Sequence, residues 1–298
     1  MKHWIQAFRL RTLPLALASI GMGTFLAASS GHFRSDIFAL CALTTILLQV
    51  LSNLANDYGD SMHGADSDAR KGPQRTVQSG AITKKAMKNA IILFVLLSLA
   101  SGIMLIYVVF GWSTEAFLVF GGMGVLAIIA AITYTAGYRP YGYAGLGDIS
   151  VLIFFGFVAV LGSAYLYEQV INLLYMLPAI STGLFSVAVL NLNNVRDIES
   201  DKLAGKNSIP VRIGRDNAVI YHWVLLSLGF SVAMMYIILN DEKSSIMQYA
   251  MIATIPLLLK NAKAVKNLKS AEQLDPYLKQ MALITLFFVI LFGMGQLL

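Results

Sequence analysis

Carboxylates gather in two short stretches of this chain: Asn53-Leu-Ala-Asn-Asp57-Tyr-Gly-Asp60, running on to Asp66, and Asn193-Asn-Val-Arg-Asp197-Ile-Glu-Ser-Asp201. Each begins where an apolar run gives way to a polar one. If both stretches continue as helix, Asn194, Asp197 and Asp201 are spaced i, i+3 and i+7 and share a face. Asn53, Asn56, Asp57 and Asp60 share a face in the same way. A magnesium ion takes about six oxygens near 2.1 Å, commonly from one or two carboxylates, water and a substrate phosphate. Two such faces set against each other would cage a metal-bound diphosphate.

Basic residues follow each cluster: Lys71 and Arg75 after the first, and Arg196, Lys202, Lys206 and Arg212 within and after the second. With bridging cations they can neutralise a diphosphate leaving group as its charge develops. Tyr58, Tyr134, Tyr138, Tyr141 and Tyr143 gather at the same end, and an aromatic face stabilises a nearby carbocation. Plainer alternatives stand beside these readings. Aspartates solvate helix ends, cations are retained on the inner side of a membrane, and tyrosines form an interfacial belt. That view accounts for isolated residues, but it leaves two segments that each place Asn four residues before Asp. Tyr134 stands out among the tyrosines because it lies within an apolar run. Asp148 opens another such run, where it either favours a helix N-terminus or joins the site.

The elements that must position these groups are membrane helices. Of 298 residues, 57% are hydrophobic and 13% charged, with a mean hydropathy of +0.69. Such a composition excludes an ordinary soluble domain. Crossing about 30 Å of hydrocarbon takes roughly 20 apolar residues. Runs of that kind lie near 13–30, 36–55, 88–110, 114–136, 146–166, 172–192, 217–239, 245–260 and 278–297. The fold expected is an all-α integral membrane protein with nine transmembrane helices, in one domain over residues 1–298.

Orientation follows from the positively charged connections, which stay inside. With the N-terminus inside, all but Arg34 and Lys243 of the 22 lysines and arginines fall on the inner side. The net charge of +6 is therefore mostly topology, and nucleic acid is not an expected partner. The inner connections 57–87 and 193–216 are long and polar, and both carry aspartates. Their segments look like copies of one another, and they lie an even number of crossings apart, so an axis along the membrane normal could relate them. Lys2 to Ser29 loosely imitates a signal peptide, but eight further runs favour a retained first helix. Cys41, the single cysteine, has no partner for an intramolecular disulfide and reads as a small core residue. His3, His32, His63 and His222 lack metal-ligand spacing. Neither a serine nucleophile elbow nor a Walker loop nor a Rossmann glycine pattern is present.

These residues resemble the UbiA superfamily of intramembrane aromatic prenyltransferases, whose members have nine helices and two aspartate-rich motifs that bind a magnesium diphosphate. The resemblance spans nearly the whole chain. Within the superfamily it is strongest to the branch acting on 1,4-dihydroxy-2-naphthoate. The pointers are Arg9-Leu-Arg11-Thr-Leu-Pro14, the first aspartate motif, Gly72-Pro-Gln-Arg75 through Gln78-Ser-Gly80, Tyr141-Gly-Tyr-Ala-Gly-Leu-Gly-Asp148, and the second motif with Gly205-Lys206-Asn207. Two departures from the wider pattern are shared with that branch: Gly64 stands where a third aspartate is expected, with Asp66 following, and Asn194 replaces the first aspartate of the second motif.

What the resemblance implies is transfer of an all-trans polyprenyl group from its diphosphate to the naphthoate ring, with release of the ring carboxylate as carbon dioxide. Asp57, Asp60, Asp66, Asp197 and Asp201 would then be the magnesium ligands. Asp57, Asp60, Asp197 and Asp201, with Tyr134, would be the catalytic residues, and Arg11, Asn53, Asn56, Lys71, Arg75, Asn194, Lys206 and Arg212 would contact substrate. The resemblance further implies a bacterial cytoplasmic membrane and a lateral opening for the lipid tail. The same fold could instead act on 4-hydroxybenzoate, haem or a chlorin. An ion-coupled transporter would place its carboxylates nearer the midplane on broken helices, and the Asp-Gly-rich motif of a phosphatidyl-group transferase is missing.

Overall fold

Hydrocarbon offers no partner to backbone N–H and C=O groups, so apolar runs in a bilayer fold as helices that satisfy themselves. The computed structural model describes residues 2–63, 75–240 and 245–298, and all the regular structure in them is helical. In chain order the helices are α1 (Lys2–Phe8), α2 (Leu13–Ser29), α3 (Ser35–His63), α4 (Lys84–Phe110) and α5 (Thr114–Thr133). They continue with α6 (Gly147–Glu168), α7 (Leu173–Arg196), α8 (Ile198–Leu203), α9 (Ile209–Leu239), α10 (Ile255–Asn267) and α11 (Ala271–Leu297).

Among the described residues, eight helices are long and apolar enough to cross a membrane, counting α1 and α2 as one stretch. The other run expected from the sequence, 245–260, is helical too. It is a 3-10 helix over Ile246–Thr254 that continues into α10, but Lys260, Asn261 and Lys263 cut its apolar stretch short. A 3-10 helix rises about 2.0 Å per residue against 1.5 Å in an α-helix, which extends the reach of this short apolar segment.

The core lies where α7, α9 and α11 meet, with Phe185, Tyr236, Phe288 and Phe292 fully buried among them. Lipid tails are as apolar as leucine, so membrane helices associate largely through close packing. Gly23 of α2 lets that helix approach α6, because a Cβ there would run into the Ser163 side chain and the Val160 carbonyl. Many large apolar side chains remain outside, including Leu96, Leu118, Leu126 and Ile238, as hydrocarbon solvation of a multi-pass membrane protein requires.

Several helices outrun their apolar stretches. Helix α3 continues to His63 and so carries Asp57 and Asp60 within it, while α11 starts at Ala271 rather than near 278. Hydropathy marks only what lipid covers, whereas these polar ends are buried against other parts of the protein.

Candidate active site

Asp57 and Asp60 lie one turn apart on α3 and are both buried. A buried carboxylate is costly unless its oxygens find donors. Asp57 Oδ2 accepts two hydrogen bonds from Thr76, from Oγ1 at 2.6 Å and from the backbone N–H at 3.2 Å. Its Oδ1 is also buried and has no hydrogen-bond partner among the described residues. Asp60 is engaged on both oxygens, by the Arg75 guanidinium at 2.5 Å and by the Tyr143 hydroxyl at 3.0 Å. Burial, reinforced by the charge of Asp60, raises the Tyr143 phenol above its ordinary pKa and keeps it a donor.

The second motif straddles the junction of α7 and α8. Arg196 donates from both faces of its fork to Asp197, at 2.8 Å to Oδ1 and 2.6 Å to Oδ2. Its third nitrogen reaches Asp275 Oδ1 of α11 at 2.6 Å, while Asp275 Oδ2 accepts from Arg11 at 2.8 Å. Four charges of alternating sign thus run from the N-terminal segment through α11 to the motif. Gly205, at φ +70°, turns the chain back after α8. That reversal lets the Lys206 backbone N–H cap the Asp201 carbonyl at 2.8 Å and brings its Nζ to 3.1 Å from Asp201 Oδ2. Burial opposes the charge on Lys206, but the fields of Asp201, Tyr134 and Asp60 outweigh it and raise its pKa to about 12. Lys206 thus sits against Asp201 of the second motif, with Asp60 of the first also acting on its charge. Asn194 is buried, and among the described residues its Oδ1 has no hydrogen-bond partner.

The remaining candidates divide. Asn53 donates to Phe8 O and Thr12 Oγ1, both at 3.0 Å, and so anchors the N-terminal segment onto α3. Asn56 accepts from Thr135 Oγ1 at 3.1 Å. Exposed Arg212 bonds the Ala144 carbonyl. The Tyr134 ring packs edge-on against Tyr141, with centroids 5.3 Å apart, and its hydroxyl lies over Gly147. Tyr58 packs in an apolar cluster with Trp4 and Phe8, and Tyr138 is 90% exposed. Asp148 accepts from Tyr221 at 2.9 Å. Asp66 and Lys71 lie outside the described residues. Sequence reasoning missed Thr76 and Asp275. Arg9, which opens the Arg9–Pro14 stretch, has a φ of 49° and is one of two non-glycine residues with positive φ among those described.

A cavity of about 360 Å³ opens between these groups, lined by Arg9, Arg11, Arg75 and Arg196 with Asp57, Thr76 and Asn193. So cationic a wall suits an anionic ligand. Among the described residues no three carboxylates, imidazoles or thiols converge on a single metal position. The donor set nevertheless fits a hard cation that also binds substrate phosphate. Asp57 Oδ1 and Asn194 Oδ1 are buried oxygen acceptors with unused lone pairs, and magnesium needs only one or two carboxylates when phosphates supply the rest.

An all-helical membrane bundle with a cationic cavity lined by Asp57 of the first motif and by Asn193 and Arg196 of the second defines a class, and the family model confirms it: residues 15–293 match the UbiA prenyltransferase family, to which this chain belongs. It is 47% identical to a 1,4-dihydroxy-2-naphthoate octaprenyltransferase of Haemophilus influenzae, over all of this chain and 96% of the relative. It is 44% identical to the Escherichia coli K12 protein of the same name, over 98% of this chain and 94% of the relative. In fold it resembles a UbiA homolog from Aeropyrum pernix K1, with a TM-score of 0.67 at 17% identity over 97% of both chains. A UbiA homolog from Archaeoglobus fulgidus bound to GPP and Mg2+ superposes with a TM-score of 0.63 at 16% identity, over 99% of both chains.

Proposed function

We propose that this chain is an intramembrane prenyltransferase of menaquinone biosynthesis. It transfers an all-trans polyprenyl group from polyprenyl diphosphate to 1,4-dihydroxy-2-naphthoate, releases carbon dioxide and yields demethylmenaquinone. The full-length identity to two naphthoate octaprenyltransferases carries this reading. The cationic cavity between the aspartate motifs supplies its chemistry.

Asp57, Asp60, Asp197 and Asp201 hold magnesium, with Asp66 counted among them on resemblance alone. Bound magnesium supplies a Lewis acid that draws charge off the diphosphate. Arg75 and Lys206, each seated on a motif carboxylate, meet the charge that develops on the leaving group. Lys71, Asn56, Asn194 and Arg212 are assigned to the same substrate-binding shell. Tyr134 offers its ring to the allylic carbon as that carbon becomes cationic. Arg11 lines the cavity directly, whereas Asn53 acts on the acceptor through the N-terminal segment that it anchors. We place the protein in the bacterial cytoplasmic membrane with its N-terminus inside, because that orientation leaves only Arg34 and Lys243 outside.

The test uses purified enzyme, magnesium, a polyprenyl diphosphate, and either 1,4-dihydroxy-2-naphthoate labelled in its carboxyl carbon or 4-hydroxybenzoate. Prenylated naphthoquinol with the label released in step is expected, and 4-hydroxybenzoate should remain unchanged. A product that retains the label would contradict the proposed acceptor or the attacked carbon.

A further inference from the structure

Arg196 raises a difficulty that the reaction must solve. Its side chain is 1% exposed, and it holds both oxygens of Asp197, the carboxylate assigned above to metal. The guanidinium occupies one lone pair on each Asp197 oxygen and its charge repels a cation approaching the others, so Asp197 binds metal more readily as the guanidinium withdraws. A buried guanidinium stripped of its partner costs several kcal/mol. The arrangement already contains a second acceptor. Asp275 Oδ1 lies 2.6 Å from the third nitrogen of the same guanidinium, so Arg196 can let go of Asp197 without losing all of its charge compensation. Asp275 is itself held in place through its other oxygen, which Arg11 engages at 2.8 Å.

We propose that Asp275 is a positioning residue: it retains Arg196 when Asp197 turns to metal, and thereby sets the metal affinity of the second motif. This rests on the reading of Asp197 as a metal ligand. In the protein without metal, Arg196 is shared between two carboxylates. Once metal is bound, Asp275 is its remaining anionic partner, so Asp275 matters more in the bound state than in the free one. Losing it therefore weakens metal binding. Arg196 competes with metal for Asp197, so losing Arg196 strengthens binding and makes Asp275 irrelevant to it.

The experiment measures Mn2+ binding to the full-length, substrate-free protein in detergent by the loss of the free-ion EPR signal. The proteins compared are wild type, Asp275→Asn, Asp275→Glu, Arg196→Gln and the Arg196→Gln/Asp275→Asn pair. Asp275→Asn should raise the Mn2+ dissociation constant about tenfold, in line with the loss of one hydrogen bond between charged groups. Asp275→Glu should restore most of that loss. Arg196→Gln should bind more tightly than wild type, and adding Asp275→Asn to it should change nothing. If Asp275→Asn binds as wild type does, or if its loss persists in the Arg196→Gln background, the proposal is overturned and any effect of Asp275 is simple charge attraction. A wild type that binds no Mn2+ without diphosphate overturns this inference, whereas the metal reading, which counts phosphate oxygens among the ligands, is tested separately with diphosphate present. The measurement monitors neither turnover nor folding, and unfolding midpoints taken alongside identify any variant that merely loses structure.

Discussion

Thr76 holds Asp57, and replacing it isolates what that hold is worth. In Thr76→Val the side chain keeps its shape and loses only the hydroxyl, leaving Asp57 Oδ2 with the backbone N–H at 3.2 Å. The lost bond is 2.6 Å long, within the range of a hydroxyl donating to an ionised carboxylate. Such a bond contributes about 1.5–3 kcal/mol. Loss of an outer partner of a metal-binding carboxylate commonly lowers metal affinity or activity by about 10–100-fold, which matches that energy at about 1.4 kcal/mol per tenfold. Initial rates of prenyl transfer measured against magnesium concentration should show Thr76→Val reduced by this factor, with its magnesium midpoint shifted upward. Thr76→Ser, which retains the donor, should stay near wild type. A valine variant within about twofold of wild type would refute the reasoning, since the threshold lies well below the factor worked out here. A serine variant as poor as valine would refute it too, because the methyl group and not the hydroxyl would then be responsible.

Tyr143→Phe should lower turnover about tenfold and stability by about 1–3 kcal/mol, because Asp60 keeps Arg75 but its other, buried oxygen loses the phenol donor; wild-type turnover would remove Tyr143 from the site. Gly23→Ala should lower stability by about 1–3 kcal/mol, since a methyl there meets the backbone of α6. An unfolding midpoint equal to wild type in detergent would show that α2 and α6 do not approach that closely. Reporters fused near Lys2 and after Leu298 should read opposite sides of the membrane, as an odd number of crossings demands. Matching sides would mean that the segment at 246–267 does not cross.

The sequence announced the chemistry more fully than the geometry. Asp57, Asp60, Asp197 and Asp201 stand out as candidates in the sequence because the spacing they share needs no tertiary knowledge to see. Arg75, Arg196 and Lys206, which the sequence places beside the motifs, do pair with Asp60, Asp197 and Asp201, but two other members of the network were not legible. Asp275 contacts Arg196 across 79 positions and Arg11 across 264, and a lone aspartate among lysines in a connection carries no periodic signal. Thr76 was hidden for the same reason, since it reaches Asp57 only after the chain has left α3 and returned. Asn53 shows the reverse case. Its spacing placed it on the aspartate face, yet its amide is used to tie down Phe8 and Thr12. The apolar runs fall short of the helices wherever protein rather than lipid buries the polar end, as at the start of α11 and the end of α3.

The central claim is that both aspartate motifs hold metal against one diphosphate. Anomalous X-ray scattering from crystals grown with Mn2+ and an unreactive polyprenyl thiodiphosphate measures this directly. Peaks within about 2.1–2.2 Å of oxygens from Asp57 or Asp60 and from Asp197 or Asp201, with phosphate oxygens bridging them, are the expected result. Diphosphate bound in the arginine-lined cavity with no manganese at either motif, or with manganese on other carboxylates, would contradict it.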